Sequence, residues 1–432
     1  MDLTTTDHRF INTLIQSDIH RRILSERLQD DGLDVSPRSW RANALRSLAR
    51  LVLLGLEFIS LPLRRCPKDQ PEIIFYDSNP KSLTARQDYL YYHRPEELFH
   101  GISYRDPILA TPNKLRILSI IVQTGLLLLR ASLRPSELSG HYTHILRTCL
   151  LIYSHVATSA NSEVYLFRIY QPESVFSAAY LQDRGIFVHL IPSTTPLAPR
   201  NSRLIGDSLK ICNPYQRDEF AYYRHLGTCQ QAEDWSPEEI VQMNTYYQTR
   251  EKPTLPNVLG LYTQGFWLRL RLGLINSSVG VELVNHEQEL LEILVAYIKE
   301  NPGVELVIFP HPMERRHFQQ TGNIPYPTHG LPQIRIDSSG ANSIYTFDQV
   351  GLGFTTVSTI GFDRIFMGFR TLFYAPRTGF LNLEIPSPYR SLFCTGKNEL
   401  LEQSERWKAA SHADFMQSCF GGPFWEPKAG NE

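Results

Sequence analysis

Three short stretches carry side chains able to handle a phosphate. In "VIFPHPMERR" (307–316), a strand-like run of Val307, Ile308 and Phe309 stops at Pro310, His311 and Pro312, with Glu314, Arg315 and Arg316 behind it. An imidazole, with an ordinary pKa of about 6.5, can donate a hydrogen bond to a phosphate oxygen or protonate a leaving phosphate. The flanking prolines hold the backbone stiff around it. The competing reading is a polar surface turn. Glu314 has two readings as well: it orients the histidine or accepts ribose hydroxyls, or it pairs with Arg315 or Arg316 on the surface. In "TTVSTIGFDR" (355–364), Ser358 and Thr359 stand where a helix should begin. Two hydroxyls and unpaired helix N–H groups there suit an anion, although N-capping alone accounts for such residues. Gln264 and Gly265 follow another strand-like run; glycine lets backbone approach a ligand closely and is also common in turns. Arg269 and Arg271 come next and face either an anionic donor or solvent. The candidate nucleotide-binding set is therefore Gln264, Gly265, His311, Pro312, Glu314, Ser358 and Thr359.

The elements that would bring these residues together are legible as apolar runs and helical spacings. The first seventy residues read as helical, "EIIFY" (72–76) as the first strand, 113–131 and 136–157 as helices, and 163–170, 172–185 and 186–192 as strand, helix and strand. Residues 193–256 are rich in Pro, Asn, Arg, Tyr and Asp and read as an interdomain region with one helix near Ser236. A second series follows: strands at 257–263, 304–310, 333–337, 350–356 and 370–376, and helices at 287–303 and 358–368, with a short helix over "SIYTFDQ". The expectation is an α/β protein of two Rossmann-like domains facing across a cleft. Its parts are an N-terminal domain (1–195) with a helical N-terminal segment, an interdomain region (196–256), a nucleotide-binding domain (257–400) and a helical tail (401–432). In a parallel sheet the ends of the strands at 257–263, 304–310 and 350–356 share one edge, where such folds bind ligands.

Composition narrows the classes. A chain of 432 residues with 42% hydrophobic and 20% charged residues is ordinary globular protein. A formal net charge of −1 gives no basic field for nucleic acid. The six cysteines form no CxxC pair, and "MDLTTTDHRF" is no secretory signal, so a reducing cytoplasm is expected. Residues 51–63, "LVLLGLEFISLPL", are too short to span a bilayer. Arg38, Arg41, Arg46 and Arg50 precede them and Arg64, Arg65 and Lys68 follow, so they read as a core helix with a basic face or as an interfacial helix in peripheral contact with the inner face of an anionic membrane. There is no Walker loop, HExxH, GxSxG or EF-hand pattern, and "GLGF" (351–354) inside a strand is no dinucleotide fingerprint. No DxD pair follows a strand, so no metal ligand is expected, and His311 with Ser358 and Thr359 would have to stabilise a leaving phosphate.

His311–Pro312 after a strand resembles the HP motif of bacterial sialyltransferases and polysialyltransferases, and Ser358–Thr359 resembles their serine-rich phosphate motif. The run "DQVGLGFTTVSTIGFDRIFMGFRTLFYAP" is similar to the matching region of GT-B glycosyltransferases of capsule and lipopolysaccharide assembly that use CMP-activated sialic acid, related nonulosonic acids or Kdo. The resemblance spans about residues 257–377. It implies that His311, Ser358 and Thr359 contact the CMP phosphate, with a CMP-sugar as donor substrate and no other cofactor. It also implies a catalytic base in the N-terminal domain. The family's acidic D/E-D/E-G motif points to Asp31 in "DDG" (30–32), which here precedes the first strand; Asp77, at the end of that strand, is better placed.

The function expected is metal-independent transfer of an acidic sugar from a CMP donor to a glycan or glycolipid acceptor at the cell surface. Two alternatives stand beside it. One is a phosphotransferase using a CDP-linked polyol such as CDP-glycerol; the other is a non-catalytic GT-B protein that scaffolds a polysaccharide-assembly complex. Sugar-nucleotide epimerases share the two-domain architecture.

Overall fold

In a computed structural model, the described residues are 73–109, 139–156, 163–169, 172–192, 204–224, 227–273, 278–322, 330–337, 342–356, 358–376 and 385–425, with the single positions 49, 52, 53 and 326. They fall into two compact units. The first ends at residue 235; the second runs from 236 onward and also takes 214–219. Each unit is built on a six-stranded, all-parallel sheet with helices between most successive strands, so the protein has two Rossmann-like domains. The expected helix at 113–131, Asp31 and almost all of the basic-flanked run lie outside the described residues.

The first sheet contains β1 (Ile73–Tyr76), β2 (Phe99–Ile102), β3 (Glu163–Phe167), β4 (Phe187–Ile191), β5 (Ser208–Ile211) and β6 (Gln231–Asp234), in the order β2-β1-β3-β4-β5-β6. Its central strands are continuous apolar runs because both faces are covered: β1 is buried at every position. Two of its strands correct the expected interdomain region, since β5 and β6 both come from within 196–256. Their sequences, SLKI and QAED, carry too little apolar pattern to be read as strands. They hold together by ladder bonds and by Lys210 reaching Glu233 at 2.7 Å. The helix expected near Ser236 is Glu238–Gln248, with Pro237 at its N-cap and Glu238 and Glu239 in the first turn, where carboxylates complement the helix dipole.

The second sheet contains β7 (Val258–Tyr262), β8 (Glu305–Phe309), β9 (Ile334–Ile336), β10 (Leu352–Thr355), β11 (Thr371–Tyr374) and β12 (Phe393–Cys394), in the order β12-β11-β10-β7-β8-β9. Counted within the domain this is 3-2-1-4-5-6 read from its β9 edge, the doubly wound order whose topological switch lies between the first and fourth strands, β7 and β10. Leu259, Leu261, Leu306, Ile308, Leu352 and Phe354 are all essentially buried in its core. The helix expected at 287–303 begins nine residues earlier, as Ser278–Glu300. The stretch read as a helical tail is integral to this domain: Lys397–Lys408 and His412–Phe420 bury Trp407, Phe415 and Met416 in the same core. Arg370, fully buried, pins them by donating to the carbonyls of Trp407 (2.7 Å), Lys408 (2.8 Å) and Ala410.

The two glycines of "GLGF" are explained by packing. A Cβ on Gly351 would meet the Leu255 carbonyl oxygen at 2.0 Å, and one on Gly353 would meet Arg364 Nε at 2.5 Å. Arg364 is fully buried and donates to Tyr262 Oη (2.9 Å), the Phe347 carbonyl (3.0 Å) and Thr371 Oγ1 (3.2 Å), so it cannot swing away cheaply.

Candidate functional site

The carboxyl ends of β7, β8 and β10 meet at the switch point of the second domain, and the side chains there are wired to one another. Thr263, just past β7, is buried; its Oγ1 accepts from the His311 backbone N–H at 2.9 Å and donates to Glu314 Oε2 at 2.7 Å. Gln264 Nε2 donates to Thr356 Oγ1 at 2.5 Å, tying the end of β7 to the end of β10. Gly265 turns the chain at φ +73° into the helix Phe266–Arg271. A Cβ on Gly265 would stand 2.9 Å from His311 Nδ1 and 3.0 Å from its Cγ, so the glycine is required both by its left-handed backbone and by the imidazole packed against it. Thus the structure brings Gln264, Gly265, His311 and Glu314 together, as the sequence suggested.

His311 is the N-cap of a helix, Pro312–Thr321, to which the sequence reading assigned no element. Pro312 occupies the first helical position, where its missing N–H is harmless. Glu314 closes a capping box, its Oε2 accepting the His311 N–H at 3.2 Å while His311 Nδ1 accepts from Met313 N–H at 3.2 Å. With Nδ1 an acceptor, the ring proton sits on Nε2, which is then the donor left for a ligand. Burial, and after it the positive charges of Arg269 and Arg316, lower the His311 pKa to about 4. This corrects the expectation of an imidazole poised near its ordinary value: at neutral pH His311 is a fixed, neutral hydrogen-bond donor. The same two guanidiniums supply positive charge at the site.

Glu314 is 2% exposed, and its Oε2 also accepts from Tyr326 Oη. Of the readings made from sequence, these surroundings fit orientation of the histidine, and not contact with a ribose or pairing with Arg315 or Arg316. It lies beneath the histidine and fixes it. Arg315 turns inward to Asp337 (3.2 Å) and Ser343 Oγ (3.1 Å), whereas Arg316 stays exposed. Ser358 is the N-cap of Thr359–Phe366, half-buried, and its side chain makes no capping hydrogen bond. Its hydroxyl is therefore not explained by ordinary capping. Thr359 is exposed at the first position of the same helix.

Glu287 was not found by sequence reasoning. It lies in the middle of the amphipathic helix Ser278–Glu300, where a single acid reads as part of the solvated face. In the structure it is 6% exposed, and its Oε2 accepts the Gln264 backbone N–H at 2.6 Å.

In the first domain, Asp77 does end β1, but it is fully buried. Its Oδ1 accepts from Arg168 Nε (2.9 Å) and Asn79 N–H (2.8 Å), and its Oδ2 from Arg86 Nε (3.0 Å). Two guanidiniums and a backbone amide hold a carboxylate that no solvent reaches, which corrects its assignment as the base. It braces the β1 end against Arg168, whose backbone is held at φ +54°.

No protein family model matches the chain, and no curated protein does. Among solved structures, the wall teichoic acid polymerase TagF is similar at 12% identity over 88% of this chain and 92% of its own, with a TM-score of 0.39. The UDP-N-acetylglucosamine 2-epimerase of Rickettsia bellii is similar at 10% identity over 79% of this chain and 89% of its own, with a TM-score of 0.40. An O-GlcNAc transferase of Thermobaculum terrenum is similar at 12% identity over 94% of this chain and 75% of its own, with a TM-score of 0.29. Likenesses at this level assign no role to any residue.

Proposed function

We propose that this chain is a GT-B glycosyltransferase that moves an acidic sugar, a sialic acid, another nonulosonic acid or Kdo, from a CMP donor to a surface-glycan or glycolipid acceptor without a metal. The observation that carries the reading is the neutral His311 Nε2–H at the end of β8, on the same sheet edge as Ser358, an N-cap serine whose hydroxyl is not used by its helix. In this reaction the bond between the sugar carbon and the phosphate oxygen breaks as the acceptor oxygen bonds to that carbon. The acceptor's proton passes to a base, for which Asp31 is the remaining candidate. CMP departs with the bonding electrons. His311, Ser358, Thr359 and the N–H groups of the helix Thr359–Phe366 stabilise the charge that grows on its phosphate. Gln264, Gly265 and Pro312 shape the turn and helix start against which the nucleotide lies. Peripheral contact with the cytoplasmic face of the membrane belongs to residues 38–68, of which Val52 and Leu53 are exposed. No helix among the described residues is long and apolar enough to cross a membrane.

Arg269 and Arg316 favour a second reading. Two guanidiniums beside His311 suit a diphosphate as well as a monophosphate, and a CDP-linked polyol such as CDP-glycerol would leave CMP while transferring a phosphoryl group. A transfer assay separates the readings. Release of CMP from CMP-sialic acid or CMP-Kdo with acceptor, and none from CDP-glycerol, is the result expected. Turnover of CDP-glycerol alone would overturn the first reading, and nucleotide binding with no turnover would mark a scaffold.

A further inference from the structure

We infer that Glu287 is a positioning residue for the phosphate site: buried, it fixes the Gln264–Gly265 turn by accepting the Gln264 backbone N–H. The inference rests on reading the β7–β8–β10 edge as a phosphate site. Two acids from different helices brace adjoining strand ends: Glu287, on Ser278–Glu300, holds Gln264, the residue after Thr263, and Glu314, on Pro312–Thr321, holds Thr263 itself and His311. Glu314 Oε2 is surrounded by donors, accepting from the His311 N–H, the Thr263 hydroxyl and the Tyr326 hydroxyl. Its Oε1 is buried with no hydrogen-bond partner. Glu287 receives the Gln264 N–H. Burial first, then the charge of Glu314, pushes Glu287 up to about 8, opposed by the Gln264 N–H and by Arg269. The other ionisable groups facing this spot do not titrate between pH 7 and 9: His311 is held at about 4 and Tyr326 well above its ordinary value.

The consequence is electrostatic. Above about pH 8 a negative charge appears on Glu287 under the turn and opposes an anion bound there. Calorimetric titration with CMP from pH 7 to 9.5, where the phosphate is already doubly charged, reads this directly. The wild-type affinity is expected to fall about tenfold across that range. Glu287→Gln keeps an acceptor for Gln264 N–H and has no proton to lose, so it is expected to bind within about twofold of wild type at pH 7 and to stay level. A flat wild-type profile, or a Glu287→Gln profile that falls in parallel, overturns the inference. Melting of the unliganded proteins gives a reading that needs no nucleotide. The advantage of Glu287→Gln over wild type is expected to grow between pH 5 and 8 and then level off, because the folded wild type must keep a proton that its unfolded chain gives up. If wild type binds no CMP at any pH, the phosphate-site reading fails, and the role of Glu287 is decided by melting alone; equal melting at every pH overturns it.

Discussion

At the scale of single residues, the candidate site depends on a few atoms with no slack. His311 is held by Met313 N–H on Nδ1 and by its own N–H to Thr263 and Glu314, and Gly265 is the surface on which its ring rests. Gly265→Ala therefore introduces two faults at once, a left-handed backbone without glycine and a methyl group inside the imidazole's contact distance. The first costs about 1 to 2 kcal/mol, and the second displaces the donor. Chemical denaturation is expected to show that loss, and CMP affinity is expected to drop about tenfold; an alanine variant with unchanged affinity would show that the ring's placement does not matter. His311, Gly265 and Ser358 were legible in the sequence because strand ends carrying proline, glycine and hydroxyl residues are unusual enough to notice. Glu287 was not, since nothing in a helix's spacing tells a solvated acid from one that turns inward against a neighbouring strand end. Asp77 was legible as a strand-end acid, but its two arginine partners, Arg86 and Arg168, come from nine and ninety-one residues away, which no local pattern shows.

At the scale of elements, the buried strands were readable and the polar ones were not. β1, β3, β7, β8, β10 and β11 are nearly continuous apolar runs because helices cover both sheet faces. β5 and β6 replace that pattern with Ser208, Lys210, Glu233 and Asp234, so the segment containing them read as a connection between domains. The helix Pro312–Thr321 was hidden for a related reason. Its sequence, PMERRHFQQT, is polar, and it is set by its start, where the capping box and Pro312 satisfy or remove the first unpaired donors. The start that forms this helix is also what fixes the histidine, so local folding and the chemistry of the site share the same residues.

At the scale of the whole molecule, several buried groups make stability depend on pH in opposite directions. Burial holds His155, His189 and His311 at about 4 and His412 at about 3. Their unfolded forms take up protons near 6.5, so stability is lost as pH falls from there toward 4. Glu287 and Asp363 are raised to about 8, so stability is lost as pH rises from the ordinary carboxylate range to 8. The histidine effect is the larger of the two below 6.5, and only the carboxyl effect operates above it. The melting temperature is therefore expected to peak near pH 6.5 and to fall by several degrees toward both pH 5 and pH 8; a melting temperature that climbs steadily to pH 8 would contradict this. On the function proposed, the β7–β8–β10 edge of the second domain holds a nucleotide phosphate through a neutral His311. Isothermal titration of CMP into the wild-type protein and His311→Ala at pH 7 tests it most directly. Saturable binding by wild type and at least tenfold weaker binding by a His311→Ala protein that still melts cooperatively above the titration temperature are expected; equal affinity in the two proteins, or none in the wild type, would contradict the phosphate-site reading.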